Sequence, residues 1–516
     1  MGSYDIAIVG SGFGGSLLAM IARRAGRSVL MLEKGQHPRF AIGESSTPLS
    51  NLLLEEIATR YDLPRLKPLT KWGTWQRSYP HLACGLKRGF SFYYHTAGAP
   101  ASGFDRERQL LVAASPNDSI SDTHWYRAEF DHFLVREAEE MGVDYLDRVA
   151  LSRMTESADG VTVEGVRFGQ PVVFQSKFLI DATGPRGFVH RALGLPEAAL
   201  PDYPQTQALY THFSNVERVR QPAGQTENPP YPPDDAALHH VFDGGWIWVL
   251  RFNNGLTSAG VAATDSLSHR LRFEEGGAAW GRLLDLLPSV KEQFGAAKAE
   301  LPFVHARRPS FLTSAVAGER WAMLPSAAAF VDPLLSTGFP LTLLGVSRLG
   351  EIITQDWDSL QFAHRIENYA AQTQKEALAA ARLIGALYAT MDNFPLFVSI
   401  SLLYFAAASF AETARRLDKH QLASSFLLCD DPVFGPACAR LCQQARLVRT
   451  QTESRDLTTA ILQAIEPFNV AGLGEADRRN WFPADPGDLT RAAGKLGVTQ
   501  DEILRLIEQC GLAISS

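Results

Sequence analysis

The sequence has few cysteines and no concentrated run of either charge. Five of its 516 residues are cysteine, an odd number without a CxxC pair, which argues against a disulfide framework and indicates a reducing compartment. No cluster of cysteine and histidine has the spacing of a metal site, so we expect no metal. The formal net charge is −7, and no basic tract or basic–aromatic strip occurs, which argues against nucleic acid as a partner.

We also expect neither a leader peptide nor an uninterrupted membrane span. A strand-like run starts within the first few residues and leaves no room for a signal peptide, so we expect a cytoplasmic protein. Residues 394–411 carry no charge and are nearly long enough to cross a bilayer, but Pro395, Ser399, Ser401 and Ser409 interrupt them. This pattern favours a buried helix, or one that faces an apolar substrate, over a membrane span.

The start of the chain carries a dinucleotide-binding fingerprint. The apolar run 5–9 leads into Gly10-x-Gly12-x-x-Gly15, a helix-like stretch follows, and a second apolar run ends in Glu33. Gly10 permits a tight turn, Gly12 lets backbone N–H groups approach a pyrophosphate, and Gly15 lets helix and strand pack closely. The helix N-terminus adds partial positive charge for the phosphates. Glu33 can accept a hydrogen bond from a ribose 2′-OH and disfavours the 2′-phosphate of NADP.

Strand and helix patterns alternate along the rest of the chain. Trp72 to Tyr94 alternates polar with apolar, β-branched and aromatic residues, which predicts paired strands. Val161–Phe168 and Val172–Phe178 predict a hairpin with Gly169 and Pro171 in its turn. Periodicity predicts helices over 52–61 and 125–141, three strands over 238–264, a strand, loop and helix over 321–349, and mostly helix from about residue 360.

The nucleotide-binding part is expected to be discontinuous. After a β-rich region, an apolar segment ends in Asp-Ala-Thr-Gly at 181–184 and brings the chain back to it. Interruption is typical of flavin enzymes, whereas nicotinamide dehydrogenases keep this fold contiguous, so the pattern indicates FAD. We expect an α/β, Rossmann-like FAD-binding domain over 1–360, a β-rich substrate domain inserted at about 62–98 and 190–304, and a helical C-terminal domain over 361–516.

Four further segments resemble those of flavin-dependent halogenases, a family with the fold of the single-component aromatic hydroxylases. GESSTP at 43–48 resembles the family's loop near the flavin. CGLKRGFSF at 84–92 places Lys87 where halogenases of small aromatics have their essential lysine. GGWIWVLR at 244–251 is similar to the Trp-x-Trp-x-Ile-Pro signature, and FVDPLLSTG at 330–338 is similar to the segment over the isoalloxazine ring.

Three departures from the family pattern bear on the cofactor and the substrate. Leu250-Arg251 stands where the family usually has Ile-Pro. Ser326 lies where flavin monooxygenases usually have a Gly-Asp pair that bonds the ribityl chain, and its hydroxyl can replace one such bond. Tryptophan halogenases carry a glutamate, a base or orienter for indole, at the position of Leu335. The resemblance therefore implies a phenol or pyrrole substrate rather than tryptophan.

The resemblance also implies catalytic roles for Lys87 and for one helix start. Lys87 would hold hypohalous acid near the substrate, either as an ammonium that polarises it or as a neutral amine that forms a chloramine; a solvated strand lysine is the plain alternative. Burial in an aromatic pocket lowers a lysine pKa, so both charge forms stay open. Backbone N–H groups of Thr337 and Gly338 are suited to bind the halide, although an ordinary helix entry capped by Ser336 would look the same.

The remaining candidates surround these groups. Arg127 begins a predicted helix where flavoproteins of this fold often place a cofactor-contacting arginine, with an ion pair as the plain alternative. Trp246 and Trp248 share one strand face and would separate flavin from substrate, with plain core aromatics as the alternative. The cofactor-binding candidates are Gly10, Gly12, Phe13, Gly14, Gly15, Glu33, Lys34, Gly43, Glu44, Ser45, Arg127, Ala182, Gly184, Asp332 and Gly338. The substrate-pocket candidates are Phe90, Phe92, Trp246, Trp248 and Ser336, with Tyr93 and His95 beside them.

Together these residues imply an oxidoreductase of secondary metabolism, such as antibiotic biosynthesis. With FADH2 and O2 it would chlorinate or brominate an electron-rich, phenolic aromatic, by way of a flavin hydroperoxide and hypohalous acid relayed to Lys87. A separate flavin reductase is the expected partner, and the substrate is free or bound to a carrier protein. Two alternatives stay open: a flavin-dependent hydroxylase of the same fold, and a non-catalytic flavoprotein whose helix at 394–411 meets lipid or a carrier.

Overall fold

The computed structural model describes residues 3–99, 105–219 and 227–512. Its strands are β1 (Ser3–Val9), β2 (Val29–Leu32), β3 (Cys84–Lys87), β4 (Gly89–Tyr94), β5 (Gln109–Ala113), β6 (Asp122–Trp125), β7 (Asp144–Leu146), β8 (Val149–Ser157), β9 (Gly160–Arg167), β10 (Gln170–Asp181), β11 (Thr206–Ser214), β12 (Ala237–Phe242), β13 (Gly245–Arg251), β14 (Thr257–Thr264), β15 (Lys298–Ala299), β16 (Val304–Arg307), β17 (Phe311–Leu312), β18 (Trp321–Met323), β19 (Ala329–Phe330) and β20 (Trp481–Phe482).

Helices pack around these strands and make up most of the last third of the chain. They are α1 (Phe13–Arg24), α2 (Pro48–Arg60), α3 (Trp72–Ser78), α4 (Arg127–Glu140), α5 (Phe188–Ala192), α6 (Asp265–Leu271), α7 (Gly277–Leu286), α8 (Pro288–Gln293), α9 (Pro325–Ala328), α10 (Gly338–Gln355), α11 (Phe362–Tyr388), α12 (Phe394–Arg416), α13 (Phe434–Ala445), α14 (Gln451–Ile465), α15 (Pro486–Arg491) and α16 (Gln500–Gln509).

The first sheet carries the dinucleotide fingerprint, as the sequence predicts. Its order is β7-β2-β1-β10-β9-β8, with β18 also paired to β10, and β1 lies parallel to both β2 and β10. Gly10 follows β1 with φ +103°, and a Cβ there would lie 2.6 Å from the backbone of Ala182. A Cβ at Gly15 would lie 2.1 Å from the carbonyl oxygen of Gly10. Glycine at both positions therefore lets α1 pack tightly against the end of β1.

The second sheet is larger and supplies the opposite wall of the site. Its order is β15-β11-β14-β13-β12-β4-β5-β20, with β16 paired to β11. Along β13, Trp246 and Trp248 join the core shared with the C-terminal helices, whereas Ile247 and Val249 join a separate core with α6 to α8. This alternation follows from the two-residue repeat of a strand. Strands β5 and β20 belong to this sheet although they lie outside the ranges expected for the inserted domain.

Helix α12 contains the uncharged run noted in the sequence. Among the described residues, it is the one helix long and apolar enough to cross a membrane, and 83% of its most apolar window is buried inside the protein. It packs against α2, α11 and α14. The structure therefore accounts for its apolar composition by burial within the fold.

Two local expectations are wrong. Residues 72–78 form α3 rather than a strand, because the side chain of Trp75 is fully buried and its Nε1 donates to the carbonyl of Leu82 at 2.9 Å. Pro171 lies within β10, since Phe168 and Gly169, both at positive φ, complete the hairpin turn by themselves. Pro171 pairs with Val166, one position beyond the hydrogen-bonded pair that closes the turn, where a missing N–H costs no ladder bond.

The other elements form as predicted. The hairpin of β9 and β10, the three strands over 238–264, and the helices over 52–61 and 125–141 are present, with ends displaced by a few residues. Helix α2 starts earlier than predicted because Thr47 caps it: its side chain accepts from the N–H of Ser50, and Pro48 occupies the first turn. The domain boundaries stay a prediction.

Candidate active site

A cavity of about 520 Å³ lies between the fingerprint turn and the second sheet. Its wall brings together segments that are far apart in the sequence. The predicted residues in that wall are Gly12, Phe13, Gly14, Gly43, Glu44, Ser45, Arg127, Ala182, Gly184, Trp246, Trp248, Asp332, Ser336, Thr337 and Gly338, and Ser326 lies there too. Gly10 and Gly15 lie beneath the turn, Glu33 lies behind it, and Lys34 is exposed.

Glu33 is a buried carboxylate held by donors from the turn. It accepts from the N–H of Ser11 at 3.1 Å, from the hydroxyl of Ser11 at 2.9 Å and from the N–H of Gly35 at 2.8 Å. Burial alone would raise its pKa, but Arg39 and these hydrogen bonds outweigh burial and lower it. Glu33 therefore stays ionised and can accept from a ribose hydroxyl.

Two glycines leave space that a flat cofactor can fill. A Cβ on Gly184 or Gly338 would meet no protein atom within 4 Å. Helices α1 and α10 both begin at this cavity, and the N-terminal N–H groups of a helix have no partner inside it. Open backbone, helix starts and the Glu33 acceptor together fit FAD, whose pyrophosphate would lie at α1 and whose ring would lie toward Gly338.

Arg127 begins α4 and fixes the loop that starts the GESSTP segment. It forms a buried two-bond ion pair with Asp131, both contacts at 2.7 Å. Its Nη1 donates to the carbonyl of Gly43 at 2.9 Å, and its guanidinium lies 4.8 Å from the ring centroid of Phe13. The arginine therefore joins the loop, α4 and the fingerprint helix at the cavity wall.

Asp332 lies at the centre of a buried network that the sequence does not reveal. Its Oδ2 accepts from the hydroxyls of Tyr203 at 2.7 Å and Tyr388 at 3.0 Å, and its Oδ1 accepts from the N–H of Leu334 at 2.9 Å. Trp246 Nε1 in turn donates to the Tyr388 hydroxyl at 3.2 Å. Burial raises the pKa of Asp332 to about 6 despite these donors. The network links the segment at 330–338 to the Trp246 wall.

A second unexpected pair joins Glu44, which lines the same cavity, to a histidine behind it. Glu44 Oε1 and His212 Nε2 are 2.9 Å apart, and both side chains are buried. The other carboxylate oxygen of Glu44 and Nδ1 of His212 are buried and find no hydrogen-bond partner among the residues that the structure describes. Because 168 residues separate the two groups, no local sequence pattern could have paired them.

Lys87 is fully buried, at the end of β3. Its Nζ donates to the hydroxyl of Ser45 at 2.9 Å and to the carbonyl of Ser46, and lies 3.8 Å from the ring centroid of Phe90. Burial lowers the pKa of Lys87 to about 7, and the charge of Asp122 opposes that shift. The charge of Lys87 therefore depends on the balance between burial, which favours the neutral amine, and the Asp122 carboxylate, which favours the ammonium.

A second cavity of about 210 Å³ lies on the other side of Lys87. Phe90, Tyr404 and Phe405 give it aromatic walls, and Glu412 and Arg416 give it a charged end. The GESSTP loop joins the two cavities, because its first half lines the larger one and Thr47 and Pro48 line the smaller one. Lys87 donates hydrogen bonds to this loop at Ser45 and Ser46, where its two parts meet.

The other pocket candidates are distributed unevenly. Phe90 lines the smaller cavity, and Trp246, Trp248 and Ser336 line the larger. Phe92 is buried behind both, with its ring centroid 4.4 Å from that of His239, a residue of the larger cavity's wall. His95 lies elsewhere in the second sheet and bonds His240 at 2.9 Å.

One cysteine lies close to the lysine. Cys84 begins β3 and is fully buried, and Gln76 Nε2 donates to its Sγ at 3.1 Å. Burial raises the pKa of this thiol to about 12. Cys84 is therefore a protonated thiol under ordinary conditions.

The fold and the larger cavity define a flavoprotein with a Rossmann-like FAD-binding domain. Comparison with known proteins supplies the family. The tryptophan halogenase family model matches residues 107–394, and the model of the NAD(P)-binding Rossmann-like domain matches residues 8–49. Because the first match covers more than half of the chain, this protein belongs to the tryptophan halogenase family.

Individual relatives agree with the family. Monodechloroaminopyrrolnitrin halogenase PrnC of Pseudomonas fluorescens is 27% identical over 84% of this chain and 78% of its own length. Tetracycline 7-halogenase of Kitasatospora aureofaciens is 26% identical over 78% and 73%. The structure of halogenase PltM with phloroglucinol and FAD matches with a TM-score of 0.81 at 24% identity, covering 92% of this chain and 99% of that one.

The protein is a flavin-dependent halogenase, an oxidoreductase that uses FAD, a halide and O2 to halogenate an aromatic substrate. This function accounts for the fingerprint turn and the open cavity. The role of each side chain stays a prediction.

Proposed function

We propose that this halogenase chlorinates or brominates a small phenol held in the smaller cavity, with Lys87 as the catalytic residue. One observation carries the proposal: Lys87 is fully buried between the two cavities, bonded to Ser45 in the wall of one and packed on Phe90 in the wall of the other. An ammonium in that position can meet both an oxidised halogen and an aromatic ring.

The shape of the smaller cavity supports a substrate of one ring. Its volume of about 210 Å³ is below the range of about 300–1,000 Å³ typical of ligand pockets. Aromatic walls suit a flat ligand, because ring stacking adds to the burial of apolar area. PltM was solved with phloroglucinol, a phenol, which agrees with this substrate class.

The chain's own groups divide the work around the cofactor. Reduced FAD, when bound, would supply two electrons to O2, so that one oxygen atom leaves as water and the other oxidises the halide to hypohalous acid. The N–H groups of Thr337 and Gly338, at the start of α10, would hold the halide. Trp246 and Trp248 stand on the opposite wall and limit water and direct contact between flavin and substrate.

Lys87 then guides the electrophile to the ring. Its Nζ–H can donate to the oxygen of hypohalous acid, which withdraws electron density from the halogen and keeps the acid from diffusing away. A phenol is activated by its own hydroxyl and can release that proton as the ring reacts. It therefore needs no carboxylate at position 335, where this chain has the buried Leu335.

We infer that a separate flavin reductase supplies the reduced cofactor. We also infer that the substrate enters free rather than on a carrier, since the smaller cavity fits a single ring. The burial of α12 supports a cytoplasmic location. A carrier-bound substrate is the alternative outcome, detected by comparing free phenols with the same acids loaded on a carrier protein.

Replacing Lys87 tests the proposal directly. Lys87→Met should lower halogenation by at least about a thousandfold, since loss of one preorganised donor typically costs about 10²–10³ and the electrophile also escapes. FAD affinity should stay within about threefold, because the described contacts of Lys87 are with Ser45, Ser46 and Phe90, none of which lies in the fingerprint turn or at the start of α10. The assay supplies reductase, FAD, chloride or bromide and candidate phenols, and mass spectrometry reads the halogen isotope pattern.

Lys291→Met is the matched control, since Lys291 is exposed and pairs only with Asp285 on the surface. It should halogenate like the wild type. Normal halogenation by Lys87→Met would rule out the assignment of Lys87, and a product with added oxygen but no halogen would favour the hydroxylase alternative.

A further inference from the structure

Asp122 lies directly opposite Lys87 in the antiparallel pair of β3 and β6. Opposite residues in such a pair project from the same face, with Cβ atoms about 5 Å apart. Lys87 is 0% exposed and Asp122 is 7% exposed. Charges buried this deeply need an opposite charge or hydrogen bonds to remain charged.

The contacts of Lys87 are all neutral. They are a hydroxyl, a backbone carbonyl and an aromatic ring, contributed by Ser45, Ser46 and Phe90. Among the described residues, no direct ion pair within 4.0 Å joins Lys87 to Asp122, so the carboxylate acts on the ammonium across a short gap. It is the one negative group found to stabilise the charged form of Lys87.

The carboxylate of Asp122 is held at one oxygen and left open at the other. Asn51 Nδ2 donates to Oδ1 at 2.8 Å, whereas Oδ2 is buried with no hydrogen-bond partner in the described part of the chain. An oxygen without a donor costs stability in a buried site. Such an oxygen is less costly when its negative charge compensates a buried cation nearby. Lys87, which lies opposite Asp122 on the neighbouring strand, can carry that cation.

We propose that Asp122 is a positioning residue for Lys87: its carboxylate keeps the ammonium charged and directed to the junction of the two cavities. Asp122 would have this role in a chain in which Leu335 occupies the position of the carboxylate of tryptophan halogenases. The inference rests on the proposed function, in which Lys87 guides the electrophile.

Other groups near the pair do not replace this effect. The titratable or charged side chains that face it are His124 on β6, His239 on β12, and Tyr404, Glu412 and Arg416 on α12. Burial lowers the pKa of His124 far below its ordinary value and that of His239 to about 3. Burial raises the pKa of Tyr404. These three groups are therefore neutral near pH 7, and Glu412 and Arg416 pair with each other at 2.8 Å, so none of the five balances the charge of Lys87.

Loss of the Asp122 charge should shift the pKa of Lys87 in one direction. Burial lowers the pKa of Lys87 and raises that of Asp122, and each charge opposes the shift of the other. Removing the carboxylate charge therefore lowers the pKa of Lys87 further. Asp122→Asn makes this change with almost no change of shape and keeps an oxygen to accept from Asn51.

The experiment measures the pKa of Lys87 in the full chain with FAD bound. Lysine labelled with ¹³C at Cε reports each ammonium by NMR, and the Lys87 signal is the one lost in Lys87→Met. In Asp122→Asn the pKa should fall by at least about one unit, the usual effect of removing a nearby opposite charge. The limb of the kcat–pH profile that reports the titration of Lys87 should move to lower pH by the same amount. KM for the phenol should stay within about twofold of the wild-type value.

Controls separate a positioning role from a structural one. Asp285→Asn removes an exposed carboxylate and should leave the pKa of Lys87 unchanged. Asp122→Glu should restore it to within about half a unit. If Asp122→Asn does not fold, Asn51→Ala tests the same link: the carboxylate loses its donor and holds its proton more tightly, so the pKa of Lys87 falls in the same direction.

The outcomes are distinct. A folded, FAD-loaded Asp122→Asn in which the pKa of Lys87 stays within about 0.3 unit of the wild type overturns the proposal. Normal halogenation by Lys87→Met would instead overturn the proposed function, while the NMR titration would still decide whether Asp122 governs the charge of Lys87.

Discussion

At Gly338 the backbone leaves room that no protein atom fills. The residue begins α10, is exposed in the larger cavity, and would meet nothing within 4 Å if it carried a Cβ. Its backbone is also not in the left-handed region, so a side chain there causes no strain. We therefore expect the absence of a side chain at this position to serve a ligand rather than the fold.

Gly338→Val should separate binding from folding. We expect the free energy of unfolding without cofactor to stay within about 0.5 kcal/mol of the wild type, as for other substitutions that touch nothing. FAD affinity should fall, and KM for chloride should rise, by at least about tenfold, because the new methyl groups occupy the space of the ring and the halide. Flavin fluorescence titration and steady-state kinetics measure these effects.

Gly494→Val is the matched control, since Gly494 is exposed, is also open to solvent, and lies far from the cavity lining. It should leave both constants unchanged. Unaltered cofactor and chloride binding by Gly338→Val would exclude this glycine from the site.

Asp122 shows what a residue-by-residue examination of the sequence misses. The residues around Lys87 resemble a segment of the halogenase family, whereas Asp122 belongs to no such segment. The two residues meet only because β3 pairs with β6, and 35 positions separate them. Strand pairing is decided by tertiary contacts, so this partner could not be derived from local pattern.

Among the elements, α12 illustrates how burial can imitate a membrane segment. Phe397 lies at its buried face with 0% exposure, and its ring centroid is 5.9 Å from that of Phe92 and 5.7 Å from that of Phe394. The aromatic cluster joins α12 to the second sheet behind both cavities. The apolar composition of the helix therefore belongs to the core of the enzyme.

Phe397→Ala should destabilise the fold by about 3–5 kcal/mol, the usual cost of truncating a fully buried aromatic ring. Urea denaturation with an unchanged m-value measures it. Leu360→Ala is the control, since Leu360 is 100% exposed and should change stability by less than about 0.5 kcal/mol. A loss below about 1 kcal/mol at Phe397 would place the helix outside the core.

Elements with strong periodicity were predictable, and those shaped by long-range contacts were not. The amphipathic helix α4 and the strands β12 to β14 follow directly from their patterns. Residues 72–78 alternate like a strand but form α3, because burial of Trp75 determines the outcome. The fingerprint turn was predictable to the residue, since glycine at Gly10 and Gly15 has a steric reason that local sequence expresses.

At the scale of the whole molecule, the Asp332 network ties three regions together. It joins the segment at 330–338, Tyr203 at the approach to the second sheet, and Tyr388 at the end of α11. Burial raises the pKa of Asp332 to about 6 from an ordinary value of 3.8. The folded state therefore binds this proton more tightly than the unfolded state does.

The sign of the effect on stability follows from that difference. The contribution of Asp332 is fully present below about pH 4 and is lost as pH rises through about 6. Asp332→Asn has no carboxyl proton to lose. Between pH 4 and pH 7 the free energy of unfolding of the wild type should therefore fall by about 3 kcal/mol relative to that of the variant, which corresponds to a shift of about two pKa units. Urea denaturation across this pH range measures the difference.

Asp285→Asn is the control for this titration, because Asp285 is exposed, and its curve should run parallel to that of the wild type. Parallel curves for Asp332→Asn and the wild type would show that folding does not raise the pKa of this carboxyl.

The arrangement of the thiols has a consequence for the durability of the catalyst. An enzyme that makes an electrophilic halogen exposes its own sulfur atoms to attack, and the thiolate is the form that reacts. Burial raises the pKa of Cys84 to about 12 and of Cys429 to about 11, so both sulfurs keep their protons. Cys84, three positions before Lys87, is also shielded by full burial. Because the chain has only five cysteines and burial keeps these two thiols protonated, the protein should withstand many turnovers of a reagent that attacks thiolates.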